Sequence, residues 1–234
     1  MEFSSNNILR KYYLDVTESI YLDSNNLELC YNTILERSIK IVVINKYRNF
    51  HLKTLDFLDE IGKHINGLII ETDELTDISC LEKQNHFETI FVHTDRPYEI
   101  DFDNFPLLKH LNIRAGDNVK NIENLTKLQF LAFHQSKRKE LQFIKNFIHL
   151  KFLKIAYFKK LSNISFISNL RSLKFLELIN LTTLSEIEEV ENLNELEHIF
   201  IMKCKKIQTL NIENLSKLVF CNLNGQILKR LNRE

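Results

Sequence analysis

Apolar residues recur along this chain in a rhythm that suits neither a helix nor a half-buried strand. In LKFLELINLTTL, Leu173 to Leu184, leucines stand at 173, 176, 178, 181 and 184. A helix repeats its apolar face in steps of three and four, and a strand in steps of two. The same hexamer, apolar at its first, fourth and sixth positions, returns throughout. It reads IKIVVI at 39–44, INGLII at 65–70, FETIFV at 87–92, LKHLNI at 108–113 and LQFLAF at 128–133. It continues as LKFLKI at 150–155, LKFLEL at 173–178, LEHIFI at 196–201 and LVFCNL at 218–223. From the second copy on, the starts lie 20 to 23 residues apart. A near-constant period of this length marks a repeat architecture.

Between the hexamers the apolar steps change to threes, as at Leu161, Ile164, Ile167, Leu170 and Leu173. A step of three suits a 3₁₀-like return. The expected unit is therefore a short strand, a turn and a tight return, with each coil burying its apolar side against the next. Residues 1–38 do not fit the repeat and are expected to cap the N-terminal end, with short strands in KYYLDVTESIYLD. A helix is expected in SNNLELCYNTILERS, with Leu27, Cys30, Tyr31 and Ile34 on one face and Ser24 as its N-cap. The long first return, 51–65, spaces Leu52, Leu55, Leu58, Ile61 and Ile65 as for a further helix. Residues 39–225 form the repeats, and 226–234 a short C-terminal cap in which Ile227, Leu228 and Leu231 make a helical turn or two. So thin a cap is also a possible site of dimerisation.

This pattern resembles the leucine-rich-repeat family, whose signature is LxxLxLxxN/CxL at 20–29 residues per repeat. The repeat length is similar to that of internalins, and LEHIFIMKCKKI, with Cys204 at the Asn/Cys position, is similar to the cysteine-containing subclass. The resemblance implies an α/β solenoid of about nine repeats: a curved parallel sheet on the concave side, and 3₁₀, irregular or short helical returns on the convex side. The sequence departs from the signature at the Asn/Cys position, which reads Asp73, Asp95, Gly116, Ser136, Phe158, Leu181, Cys204 and Gln226. No continuous asparagine ladder can form, so irregular turns are expected.

Neighbours on a strand point to opposite faces. Hexamer positions three and five, with positions seven and eight after it, should then face the concave side. Position three collects His110, Phe130, Phe152, Phe175, His198 and Phe220. Position five adds Phe91, Lys154, Glu177 and Phe200. Position seven contributes His93, Arg114, His134, Ile179 and Met202, and position eight Tyr157. Exposed apolar residues in such columns mark a partner-binding surface; alternatively the rings lie flat and shield the sheet. His93, Arg114 and His134, with His110 near, suggest a site for a carboxylate or phosphate of a partner.

Composition narrows the function. Four glycines and two prolines leave no glycine-rich phosphate loop, and no GxxxxGK[ST], HExxH or GxSxG motif is present. No enzymatic activity, cofactor or metal site is expected. The four cysteines are isolated and expected to be reduced. The opening MEFSSNNILRKYYLDVTESI lacks a basic stretch followed by an apolar run, so a cytoplasmic location is expected, and no apolar run is long enough for a membrane span. Net charge is zero overall. Yet residues 1–117 carry 12 Lys and Arg against 20 Asp and Glu, and residues 118–234 carry 19 against 11. Such a polarity can steer a charged partner. The expected function is recognition of a protein in the concave face, and by analogy with small bacterial proteins of this repeat type, neutralisation of a cognate toxin as an immunity protein. Two alternatives remain. A lysine-rich edge, KRK at 137–139 and KK at 159–160 and 205–206, could hold nucleic acid or another anionic polymer; or the chain is an effector that binds a host protein.

Overall fold

The computed structural model describes residues 19–114, 118–135 and 138–230. In chain order the first elements are β1 (Ser19–Tyr21), helix α1 (Leu27–Arg37), β2 (Ile41–Asn45), the single turn α2 (Leu58–Ile61), β3 (Gly67–Glu71) and β4 (Thr89–Val92). There follow β5 (Ile100–Asp101), β6 (His110–Arg114), β7 (Val119–Lys120), β8 (Phe130–His134), β9 (Phe152–Ala156) and β10 (Phe175–Ile179). The chain closes with β11 (His198–Met202), β12 (Phe220–Leu223) and β13 (Gln226–Arg230). Eleven of these strands form one sheet in the order β1-β2-β3-β4-β6-β8-β9-β10-β11-β12-β13. Every pairing in it is parallel except the last. The two-residue strands β5 and β7 pair separately within the returns.

The register aligns equivalent positions of successive repeats. Phe152 pairs with Phe130 and Phe175, Phe175 with His198, and His198 with Phe220. The columns deduced from the hexamer are thus real rows across the sheet. Its first, fourth and sixth positions, such as Leu173, Leu176 and Leu178, are fully buried in one continuous apolar core that runs the length of the solenoid.

The steps of three have a direct hydrogen-bond origin. In one return the Ile167 N–H donates to Ile164 O at 2.9 Å, Leu170 to Ile167 at 2.9 Å and Leu173 to Leu170 at 3.0 Å. Short 3₁₀ helices occupy 142–146, 165–169 and 188–192. The same chemistry corrects the expectation of a full helix over 51–65, where one α turn and a 3₁₀ turn form instead. Leu52, Leu55, Leu58 and Ile61 are themselves spaced in threes, the spacing of the other returns.

At the N-terminal end α1 buries Cys30 and Ile34 against the core as expected. Its N-cap is Asn26 rather than Ser24, whose hydroxyl accepts from the His51 N–H at 3.0 Å. The strands expected before Ser19 lie outside the described residues. At the other end a helical turn was expected, yet β13 runs back antiparallel on β12. Asn224 (φ 51) and Gly225 (φ 99) make the tight turn between them, an Asn-Gly pair with both residues at positive φ, as two-residue hairpins demand. Leu231 lies outside the described residues.

The coils that carry β8 to β11 end these strands by one device. Gln135, Tyr157, Asn180 and Lys203, all at position eight, adopt positive φ of 51 to 65. In three of them the kink turns the N–H towards the next strand: Gln135 donates to Ala156 O at 2.9 Å, and Tyr157 to Ile179 O and Asn180 to Met202 O, both at 2.8 Å. Side chains supply parts of the missing asparagine ladder. Asn224 accepts from the Cys204 N–H at 2.9 Å and donates to Cys204 O and Ile207 O. Further back, Asp73 accepts from the Asp95 N–H at 2.8 Å.

Candidate functional site

The concave face differs from the expectation in its centre. Phe91, Phe130, Phe152, Phe175, His198 and Phe220 were expected to be accessible contacts, but all are buried; Phe130 is 0% exposed and Phe175 2%. The physical reason lies in the register. Parallel strands set equivalent residues roughly 4.8 Å apart, close enough for rings to stack. Phe130 and Phe152 do so at 4.3 Å between centroids, and Phe175 meets His198 edge-on at 4.6 Å. Phe200 stacks on Phe220 at 4.8 Å and is only half-buried. Phe91, Phe130, Phe152 and Phe175 join Ile41 and Ala132 in a second apolar cluster on this face, separate from the main core.

Lys154 and Glu177 lie beside this cluster, 3.2 Å apart and each 15% exposed. Burial raises the Glu177 carboxyl above its ordinary range, and Lys154 works against that rise. A pair this sheltered is costly to break from one side only.

Accessible apolar surface appears further along the strands, at positions seven and eight. Tyr157 is 44% exposed and Met202 36%. Between them stands half-buried Ile179, which pairs across the sheet with Ala156 on one side and Met202 on the other.

Next to this patch, at the C-terminal ends of β4, β6, β8 and β9, is a recess of about 290 Å³. His93, Arg114, His134 and Tyr157 all line it, so the structure does gather this sequence-predicted group. His110 stands apart, at position three, where its Nδ1 is 3.0 Å from Thr89 Oγ1. Burial lowers both His110 and His134 to about 4, so both are neutral at pH 7.

The recess mixes charges of both signs, which weighs against a simple anion site. Arg114 Nη1 is engaged by Asp95, at 2.8 Å from Oδ1 and 2.7 Å from the backbone oxygen. Asp73, Asp95 and Asn112 also line the recess. Glu71 stands behind His93, with its Oε1 3.7 Å from Nδ1. Among the described residues, an incoming carboxylate or phosphate would meet these acidic groups beside an Arg114 already engaged by Asp95. Asn112 and the two aspartates were absent from the expected site. Their signal was present, since Asp73 and Asp95 hold the same position of successive repeats and therefore meet at adjacent strand ends.

The lysine edge is accessible in part: Lys139, Lys159, Lys160, Lys205 and Lys206 are exposed. Lys137 lies outside the described residues. Arg138 packs its guanidinium 5.7 Å from the Phe143 ring centre. On the returns of the last coils, Glu186, Glu188, Glu191 and Glu213 border a groove of about 560 Å³, a charge that repels phosphate. The cysteines Cys30, Cys80, Cys204 and Cys221 are free thiols and buried. Among the described residues no helix is long and apolar enough to cross a membrane.

No protein-family model matches the chain, and no curated protein does. Solved structures do. An internalin, InlF, of Listeria monocytogenes superposes over 82% of this chain and 56% of its own length, with a TM-score of 0.57 at 20% identity. The functional domain of InlJ from the same organism, which includes a cysteine ladder, covers 76% of this chain and 38% of its own (TM-score 0.57, 18% identity). A leucine-rich-repeat protein of Leptospira interrogans covers 80% and 55% (TM-score 0.54, 18% identity). The chain thus spans little more than half, or less, of the length of each of these proteins.

Proposed function

From the leucine-rich-repeat solenoid that this chain forms, shared with those bacterial proteins, we propose a non-enzymatic scaffold that recognises a protein on its concave side. The observation that carries this reading is the strand-end patch. Exposed Tyr157 and Met202 flank Ile179 beside a polar recess, so an apolar centre lies next to hydrogen-bonding groups. Interface cores are enriched in aromatics and Met and edged by polar groups. This reading puts the proposed contact surface at positions seven and eight, since the phenylalanine column is buried.

In its finer form the scaffold works in the cytoplasm and neutralises a cognate toxin by covering its active site. The opposed charges of the two halves of the chain support this, since they would steer and orient a charged partner along the solenoid. The basic edge supports a nucleic-acid binder less well, because the glutamates of neighbouring coils oppose it.

The test is affinity capture from native lysate at low and high salt, repeated with Met202→Asp and with Ile148→Asp. Ile148 is exposed on a return, away from the patch. The expected result is one protein retained at both salts, lost with Met202→Asp and kept with Ile148→Asp. Nucleic acid alone, released by salt as phosphate contacts are, would overturn the proposal. For the finer form, a purified product of the adjacent gene should be inhibited in a one-to-one complex. A product that neither binds nor is inhibited removes the toxin and leaves the scaffold.

A further inference from the structure

Asn112 lines the recess and is more than nine-tenths buried. Its neighbours decide which way its amide points. The Glu71 carboxylate, 3.7 Å from His93 Nδ1, favours the tautomer that carries its proton on that nitrogen. His93 Nε2 is then a lone-pair acceptor, and Asn112 Nδ2 donates to it at 2.5 Å. Asn112 Oδ1 is left as a buried acceptor with no hydrogen-bond partner. An orphaned buried acceptor is unfavourable, and an incoming N–H relieves it.

The charges near that oxygen favour one kind of visitor. Asp73 and Asp95 bring two carboxylates to the recess, Arg114 brings one guanidinium, and His134 brings no charge at pH 7. A cation with several N–H donors meets complementary groups there. Tyr157, held by its positive φ at the lip, adds an aromatic face on which a planar cation stacks. The volume, about 290 Å³, lies just below the roughly 300–1,000 Å³ of small-molecule pockets and suits a single side chain.

We infer that the recess receives an arginine side chain of the partner protein. Its guanidinium donates to Asn112 Oδ1 and to the carboxylates of Asp73 and Asp95, and its plane lies against Tyr157. This assignment rests on the protein-recognition reading above and names the chemistry of one contact. Arginine suits the site better than lysine because its flat fork serves several acceptors and stacks on a ring. Asn112 Oδ1 is closed off from solvent in the free chain, so the guest reaches it as neighbouring side chains turn aside.

The experiment uses the full ¹⁵N-labelled chain and three probes: acetyl-arginine amide, acetyl-norleucine amide and acetyl-glutamate amide. NMR titration should give saturable shifts of the Asn112 side-chain amide and the Gln135 backbone N–H with the arginine probe alone. Asp73→Asn removes the charge yet keeps an oxygen for the Asp95 N–H, so the fold persists while the Kd for the arginine probe rises about fivefold or more, the loss of a single charge contact. No saturable shift, an equal response to the glutamate probe, or an unchanged Kd in Asp73→Asn would overturn the assignment. If the arginine probe fails while protein capture survives, the arginine site falls and the scaffold stands. If capture fails while the arginine probe binds, the scaffold falls and the site stands.

Discussion

Phe152→Ala distinguishes a buried ring layer from an exposed contact surface. Phe152 is 1% exposed, its ring stacked on Phe130 at 4.3 Å and 16° and facing Phe175 at 6.2 Å. Removing a fully buried phenylalanine costs about 3–5 kcal/mol through lost transfer energy and the cavity left behind. Of that, each aromatic pair accounts for about 0.5–1.5 kcal/mol. An exposed phenylalanine would cost about 0.5 kcal/mol or less. Urea unfolding reads the difference. With a slope of about 3 kcal/mol per molar for a chain of this size, the midpoint should fall by about 1 M or more. Phe152→Leu, which keeps most of the volume, should cost only about 1.5 kcal/mol or less. Because each coil contacts only its neighbours, amide exchange should accelerate most in β8, β9 and β10 and least in β2. A midpoint shift below about 0.3 M on the same slope would refute the buried-layer argument and return the ring to the partner surface.

Lys154→Met strands Glu177 as a lone buried acid and should cost about 3–5 kcal/mol at neutral pH, whereas Lys154→Met with Glu177→Leu should be neutral or stabilising; urea midpoints of the two variants decide it. In that single variant the carboxyl rises further, so the native state binds more protons than the unfolded chain above pH 4.5. Stability then falls as pH rises through that window, and a flat profile would contradict it. His110 and His134 behave in the opposite sense, with folded values of about 4 against 6.5. Their contribution is complete above pH 6.5 and is lost as pH falls towards 4, and His134→Gln should flatten that part of a Tm-against-pH curve. Tyr157 holds φ 65 without being glycine or asparagine, so Tyr157→Asn should stabilise by about 0.5–1 kcal/mol and raise Tm by about 1–4 °C. The same substitution should weaken partner capture.

The repeat, its period and the alignment of its columns were legible in the sequence because strand alternation and coil stacking act locally. Leu173, Leu176 and Leu178 have one sheltered side available to them, and their spacing says so. Leu161 to Leu173 likewise announced the 3₁₀ return, since a step of three is the hydrogen-bond step itself. Two local signals were less decisive. Leu52 to Ile65 carries spacing compatible with helix and with 3₁₀ turns, and the return path between β2 and β3 selected the tighter turn. Asn224-Gly225 is a hairpin signal that the expectation of a terminal helical turn passed over.

The candidate site was legible in part of its membership but not in its character. His93, Arg114 and His134 fall on adjacent strands by register alone, so the sequence could bring them together. Whether His134 carries charge depends on its burial, and whether Arg114 is free to receive a partner depends on Asp95; neither relation is encoded in spacing. The phenylalanine column makes the same point. Its alignment follows from a period of 20 to 23 residues, which is a property of the chain. Its burial follows from how closely parallel strands bring the rings together, so that they exclude water collectively, and a single repeat contains no information about that. The sequence by itself determined the coil; only the stacked coils decided which of its outward side chains meet solvent, because exposure and charge state are properties of neighbours.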